Sequence, residues 1–372
     1  MNFLISLIPT VLVLGVVILV HELGHFLACR LTGVRVEKFS IGFGPEIFHW
    51  QGKETRYAVS AIPFGGFIKP AGEVISEVGE EGPKQGDYLA SPLPVRIFIV
   101  CAGVLMNYIL AYVLFVAIFM MGRPVTGTKI AGFMENSPAA VSGLQKGDRV
   151  IQVAQTPVEN WGEMTEAIQS APDEEIELLV ERPVSEGRAE LLAVVLRPMV
   201  EELKNPFGEK VVLKRIGVMA DPEASHFERY GFWEALVFAA KTEAFLTVMT
   251  HKAIFYLLLG KMSLNNIAGP VGIVAMTGDA AKLGFPYVVQ LTATLSVSLA
   301  VINLLPIPAL DGGHLLFLLI EAIRRRKVSL QIQERFNQAG FTLLIVLMLF
   351  VIYNDLINLD VVNKIMNLFG GK

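Results

Sequence analysis

The chain has 372 residues, of which 53% are hydrophobic and 18% charged, with a mean hydropathy of +0.54. That composition excludes an ordinary soluble globule and leaves room for a membrane part plus one soluble domain. A net charge of −4 without a basic, aromatic-laced stripe excludes a general nucleic-acid partner. The only cysteines, Cys29 and Cys101, offer neither Cys-x-x-Cys metal spacing nor a disulfide framework, so a metal would have to be held by His and carboxylates.

The first element, in block 1–30, is an apolar helix from Phe3 to Val20 that continues through His25. It has no basic start and no small-residue cleavage site before "HELGH", so it reads as a retained span. Residues 17–27 are "VILVHELGHFL". Ionisable side chains in hydrocarbon are costly and mark sites of function. His21 and His25 stand four residues apart on one helix face, where both imidazoles can reach one ion. Glu22 lies on the adjoining face, close enough to hold a water at that ion. Neutral imidazole suits zinc, and a catalytic zinc keeps three protein ligands and one open position. The alternative is a pair of histidines bonded only to helix carbonyls.

Block 31–95 contains "YAVSAIPFGGFIKPAGE", Tyr57 to Glu73, with strand-like stretches around Pro63 and the Gly65-Gly66 pair. That pattern predicts a hairpin or β-loop. The second span, Ile97 to Met121, fills block 96–122. Block 123–221 contains "NSPAAVSGLQKGDRVIQV" from Asn136 and predicts a small α+β domain. Its expected parts are a short helix (Pro138 to Ser142), a Gly147-Asp148 turn, a strand "RVIQV", a helix from Trp161 and the strands "IELLVERP" and "AELLAVVLRP". From about Val125 to Ala220 this pattern resembles a PDZ domain of the protease-associated kind; the alternative is a structural β-domain with no peptide ligand.

Block 222–286 holds "FWEALVFAAKTEAFLTVMTHKAIFYLLL", Phe232 to Leu259, with Glu234, Lys241, Glu243, His251 and Lys252 spread along it. It reads as an amphipathic helix lying in the membrane interface rather than crossing. In block 287–323, the uncharged third span runs from Tyr287 to Leu305 and meets "NLLPIPALDGGH", Asn303 to His314. Two prolines stop the span. Asp311 then precedes Gly312 and Gly313, where the backbone can approach another element closely. An Asp-Gly-Gly turn is often only a turn, but beside the histidine pair Asp311 is the best candidate for a third ligand.

The densest basic cluster, "RRRK" at Arg324 to Lys327, lies in loop 324–338 and predicts a cytoplasmic face there. The fourth span, centred on Phe341 to Tyr353, occupies block 339–372. Counting back, 31–95 is cytoplasmic, while Gly122 to about Pro286 and both termini lie outside. His21, His25 and Asp311 then share the cytoplasmic side, provided that 232–259 does not cross.

Together, "HELGH" and "NLLPIPALDGGH" closely resemble the ligand motifs of the site-2 protease family of intramembrane zinc metalloproteases, a resemblance covering nearly the whole chain. "GPVGI" (Gly269 to Ile273) and the PDZ-like insert make it most similar to the bacterial regulator-of-sigma-E protease branch. The resemblance implies a polytopic α-helical membrane protein with four transmembrane helices, a cytoplasmic membrane-associated β-loop and one extracytoplasmic PDZ-like α+β domain. It implies Zn2+ held by His21, His25 and Asp311, with Glu22 as general base. Asn303 matches the asparagine that contacts the substrate backbone or the developing oxyanion; the alternative is a cap on the broken helix. His314 reads as a supporting or structural histidine. The β-loop, with Gly65, Gly66 and Phe67, is expected near the active site, where an edge strand pairs with unwound substrate.

The expected substrates are single-span membrane proteins, anti-sigma factors or remnant signal peptides, cut in the bacterial cytoplasmic (inner) membrane. Lipid and a peptide ligand of the PDZ-like domain are further expected partners. Two features depart from the family: one PDZ-like domain where many relatives have two, and Val104 in "AGVLMN" where a proline is common. The rival readings are a non-proteolytic membrane PDZ adaptor with a closed structural metal shell, and a metal-handling membrane protein. The latter needs more polar residues across the bilayer than these spans carry.

Overall fold

The structure is a computed structural model that describes residues 3–73, 82–185, 188–205, 207–262 and 268–358. The chain forms two compact units, Met1–Ile118 with Phe232–Lys372, and Phe119–Gly231. The expected C-terminal tail beyond residue 358 lies outside the described residues.

In the first unit, four helices among the described residues are long and apolar enough to cross a membrane: Ser6–Thr32, Leu93–Met121, Phe285–Leu304 and Gln331–Ile357. They belong to α1 (Phe3–Thr32), α2 (Leu93–Met121), α7 (Phe285–Leu304) and α9 (Leu330–Asn358). Unbroken apolar runs of spanning length keep every backbone polar group bonded inside its own helix. The 27-residue α5 (Phe232–Leu258) is not among the four, because its charges recur along its length. Val104 leaves α2 unbroken and is buried.

A helix absent from the sequence reading, α6 (Pro270–Leu283), lies along α1 and also packs on α7 and α9. Its first turn explains "GPVGI". The buried Asp355 carboxylate of α9 accepts the Gly269 N–H at 3.1 Å and the Gly272 N–H at 2.8 Å. These are donors that a helix start leaves unpaired. A Cβ on Gly269 would run into Val351, so the glycine permits the close approach.

The β-loop is larger than the 57–73 segment suggested. Strands β1 (Val36–Gln51) and β2 (Arg56–Pro70) reverse at 52–55, where Gly52 N–H bonds to Thr55 O. The Gly65-Gly66 pair therefore lies inside β2 rather than at a turn. Both strands fold over on themselves. Phe39 to Ile41 pair with Ile68 to Gly66 on one side and with Tyr57 to Val59 on the other, while Phe48 to Gln51 pair with Val59 to Arg56. The bends use Gly42, Gly44 and Gly65, all at positive φ. Residues 66–70 form an outer edge, with no strand paired beyond them among the described residues.

The third span ends at Leu304 because Pro306 and Pro308 follow. Asp311 does not sit in a loop: it is the first residue of α8 (Asp311–Arg324). Gly312 and Gly313 press so closely on the backbone of Leu305 and Ile307 that no Cβ fits.

The second unit is built around a four-stranded sheet in the order β6 (Thr156–Pro157), β5 (Arg149–Val153), β7 (Ile176–Ser185), β8 (Arg188–Leu196). Alternation puts Leu178 and Val180 inward, and a bulge between Val150 and Gln152 brings Val153 to the same inner face as Val150, against Met164 and Ile168. The latter two lie on α4 (Trp161–Ser170), which follows the short α3 (Pro138–Val141). Asn160 caps α4 by accepting the Glu163 N–H at 3.0 Å, and the Glu163 carboxylate returns to the Glu159 N–H at 2.8 Å. Strands β3 (Arg123–Thr126) and β4 (Ile130–Phe133) pair with β12 (Ser225–Glu228) and β11 (Val218–Ala220). The hairpin β9 (Met199–Lys204) and β10 (Lys210–Arg215) was not anticipated. The unit extends past the expected 123–221 because β12 closes on β3 and Tyr230 N–H bonds to Phe119 O at 2.9 Å.

Candidate metal centre

Helix α1 carries His21 and His25 one turn apart, both buried. Their Nε2 atoms are 3.2 Å from each other, and the Asp311 Oδ2 lies 3.1 Å from His21 Nε2 and 3.4 Å from His25 Nε2. Zinc with bonds of about 2.0–2.1 Å in tetrahedral geometry sets its ligands about 3.3 Å apart. The three separations match that edge length. Asp311 Oδ2 is buried and accepts no other hydrogen bond. Two imidazole lone pairs and a carboxylate oxygen at this spacing repel one another unless a cation lies between them. The donor set fits zinc, and it is the one such group of three among the described residues.

One face of α2 orients the imidazoles. Ile99 O accepts from His25 Nδ1 at 2.8 Å, which fixes the tautomer and leaves the Nε2 lone pair directed at the centre. A Cβ on Gly103 would collide with the His25 ring and lie 2.8 Å from His21 Cε1, so only glycine admits both rings. The Asn107 amide lies 3.3 Å from His21 Nδ1, and its Oδ1 has no partner. Rotating the amide brings Oδ1 to accept from His21 Nδ1–H and frees the second Nε2. Asn107 O in turn accepts from Ser296 Oγ of α7 at 2.8 Å. Ile99, Gly103 and Asn107 belong to no ligand motif in the sequence. Asn107 left a signal, a lone buried amide in an apolar span.

Glu22 faces a cavity of about 160 Å³ that also exposes His21, His25, Asp311, Phe67 and His314. Residues of β2 form one wall. A Cβ on Gly66 would sit 3.3 Å from Glu22 Cγ and 2.9 Å from Ser40 O, so the strand runs directly against the carboxylate. Phe67 lines the cavity and stacks on Phe43 at 6.2 Å. Gly65 does not line it; at φ +112° it makes the bend and packs on Phe43. Asn303, at the end of α7, places Nδ2 3.3 Å from His21 Nε2 and so reaches the centre itself. His314 lines the cavity but is not in the ligand group.

A model of peptidase family M50 matches residues 9–347. A Campylobacter jejuni protein is 35% identical over 353 residues, covering 95% of this chain and 93% of its own. A Mesorhizobium japonicum protein is 36% identical over 369 residues, covering 95% and 99%. One from Brucella suis is 35% identical over 365 residues, covering 94% and 95%. All three carry the name "Putative zinc metalloprotease". With a zinc-fitting His-His-Asp group in its apolar unit and a family match along almost its whole length, the chain belongs to peptidase family M50, the site-2 proteases, and is a zinc metalloprotease.

Proposed function

We propose that this metalloprotease hydrolyses peptide bonds within or beside the membrane segment of single-span proteins, with His21, His25 and Asp311 holding zinc and Glu22 as general base. The observation that carries this reading is the convergence of the three ligand atoms beside a cavity walled by Glu22 and by a strand edge with no further strand beyond it among the described residues. When bound, zinc supplies Lewis acidity, polarising a carbonyl and making water nucleophilic at neutral pH. Glu22 takes a proton from the attacking water and delivers it to the leaving amine. The Asn303 amide, 3.3 Å from a ligand nitrogen, is placed to donate to the charge developing on the scissile carbonyl oxygen.

A helical substrate must unwind before attack, and its freed N–H and C=O groups find no partners in lipid. The outer edge of β2, residues 66–70, supplies them by strand addition next to Glu22. The proposed topology keeps the centre on the cytoplasmic side of a bacterial inner membrane, 232–258 in the interface and unit 119–231 outside, where it acts as a PDZ-like peptide binder and size filter. The basic "RRRK" cluster, of the kind that cytoplasmic loops carry, and the charges along α5 support that arrangement. A structural metal in an adaptor would need no cavity at its ligands and no carboxylate facing it.

The test is a zinc assay paired with cleavage of a single-span substrate in detergent. Glu22→Gln is expected to keep one zinc per chain and lose cleavage, while Asp311→Asn loses both. Cleavage by pure Glu22→Gln enzyme at a rate near that of the wild type overturns the assignment of the base.

A further inference from the structure

Arg96 and Glu321 form a two-pronged ion pair, with Arg96 Nη2 2.6 Å from Glu321 Oε1 and Nη1 3.0 Å from Oε2. The arginine side chain is 6% exposed and the glutamate 17%. Arg96 Nε also donates to Ser91 O at 3.2 Å, so the guanidinium is held from both ends. A pair withdrawn this far from water is weak evidence for stability as such, since an apolar pair in the same space is often no less stable. Its place in the fold points to a different role.

Arg96 precedes Ile99, Gly103 and Asn107 at helical spacings that put all four on one face of α2. The other three already act on the histidines: Ile99 O holds His25, Gly103 admits both rings and Asn107 meets His21. Glu321 stands on α8, the helix that begins with Asp311. Lys327, just past that helix, donates to Leu89 O, so the far end of α8 is tied toward the start of α2 as well. We infer that the Arg96–Glu321 pair is a positioning device for the third metal ligand, locking α8 onto the α2 face that orients both imidazoles. Helix α2 is then the common reference for ligands drawn from opposite ends of the chain. Arg96 and Glu321 are positioning residues, since neither touches the ligand atoms.

The inference rests on the proposed ligand set, and the experiment separates the two. The full chain is purified in detergent, and zinc release to a chelator is followed for Arg96→Lys, Glu321→Gln and the double variant. The ligand-field absorption of the cobalt-substituted forms is recorded in parallel. Arg96→Lys keeps the charge but loses the fork. Each single variant is expected to release zinc about tenfold faster and to shift the cobalt bands, with the double variant no faster than the worse single. Wild-type release rates and an unshifted spectrum overturn the inference, even where the melting temperature falls. If a single variant does not fold, the exchange Arg96→Glu with Glu321→Arg is read instead: slow release supports the pairing, and fast release from a folded protein overturns it. Retention of zinc by Asp311→Asn defeats the ligand assignment, whatever the Arg96 variants do.

Discussion

In the proposed mechanism Glu22 moves protons while His21, His25 and Asp311 hold the ion, so substitutions at the two kinds of residue have different expected outcomes. Glu22→Gln keeps shape and removes the base, so the turnover number is expected to fall by about 10²–10⁴, as read by gel cleavage assay. Asn107 acts through His21, 3.3 Å away. Asn107→Leu is expected to weaken zinc binding about 10–100-fold without removing a ligand, measured by chelator competition. In the second unit, burial alone would raise the pKa of Asp148, but the Arg182 guanidinium and the Gln145 N–H overcome it and lower the pKa from its ordinary 3.8. A lowered folded-state pKa contributes stability that is present at neutral pH and lost as pH falls below that ordinary value. Asp148→Asn is therefore expected to cost about 3 kcal/mol at pH 7. That difference from wild type should vanish on acidification past the lowered value, as read from hydrogen exchange of the β5 and β7 amides.

Among the four helices of spanning length, α9 is the least enclosed, with long exposed apolar stretches and burial concentrated at Gly340, Val351, Asn354 and Asp355. Its attachments are specific. Gly340 meets Pro308 of the loop before Asp311, Phe336 packs on Phe317 of α8 at 4.9 Å, and Asp355 caps α6. Asp355→Ala would leave the Gly269 and Gly272 amides without an acceptor in a buried place, at a cost of about 1–3 kcal/mol each. A lower melting temperature in detergent is the expected result, with Asp355→Asn intermediate because its amide oxygen still accepts. An unchanged melting temperature would show that the cap contributes nothing to stability.

Across the molecule, the second unit closes on its own entry and exit. Tyr230 N–H bonds to Phe119 O, and β3 pairs with β12 in antiparallel register. Residues 119–231 can thus be excised with a short join between α2 and α5. If that unit filters substrates by bulk, its removal lets substrates with large untrimmed outer domains be cut at rates near those of trimmed ones. Unchanged discrimination between the two, in cells carrying the deleted form, counts against the filter.

Sequence alone determined the elements whose signal is local. Four apolar runs of spanning length, the period-2 placing of Ile176, Leu178 and Val180 in "IELLVERP" and the two histidines one turn apart each follow from spacing that a reader can count. The prolines ending α7 and the glycines after Asp311 also announced a sharp break that brings a carboxylate to another element. Tertiary structure decided what depends on distant partners. It turned the expected Asp-Gly-Gly turn into a helix start, because α8 packs by its glycines against the Leu305 and Ile307 backbone. It folded the β-loop over, so that Gly65 became a bend and Gly66 a contact with Glu22. It also joined Ile99, Gly103, Asn107 and Asp355 to partners 74 or more residues away. In an apolar chain such contacts leave little periodic trace, since a glycine or a single amide in a span looks the same whether it faces lipid or a metal ligand.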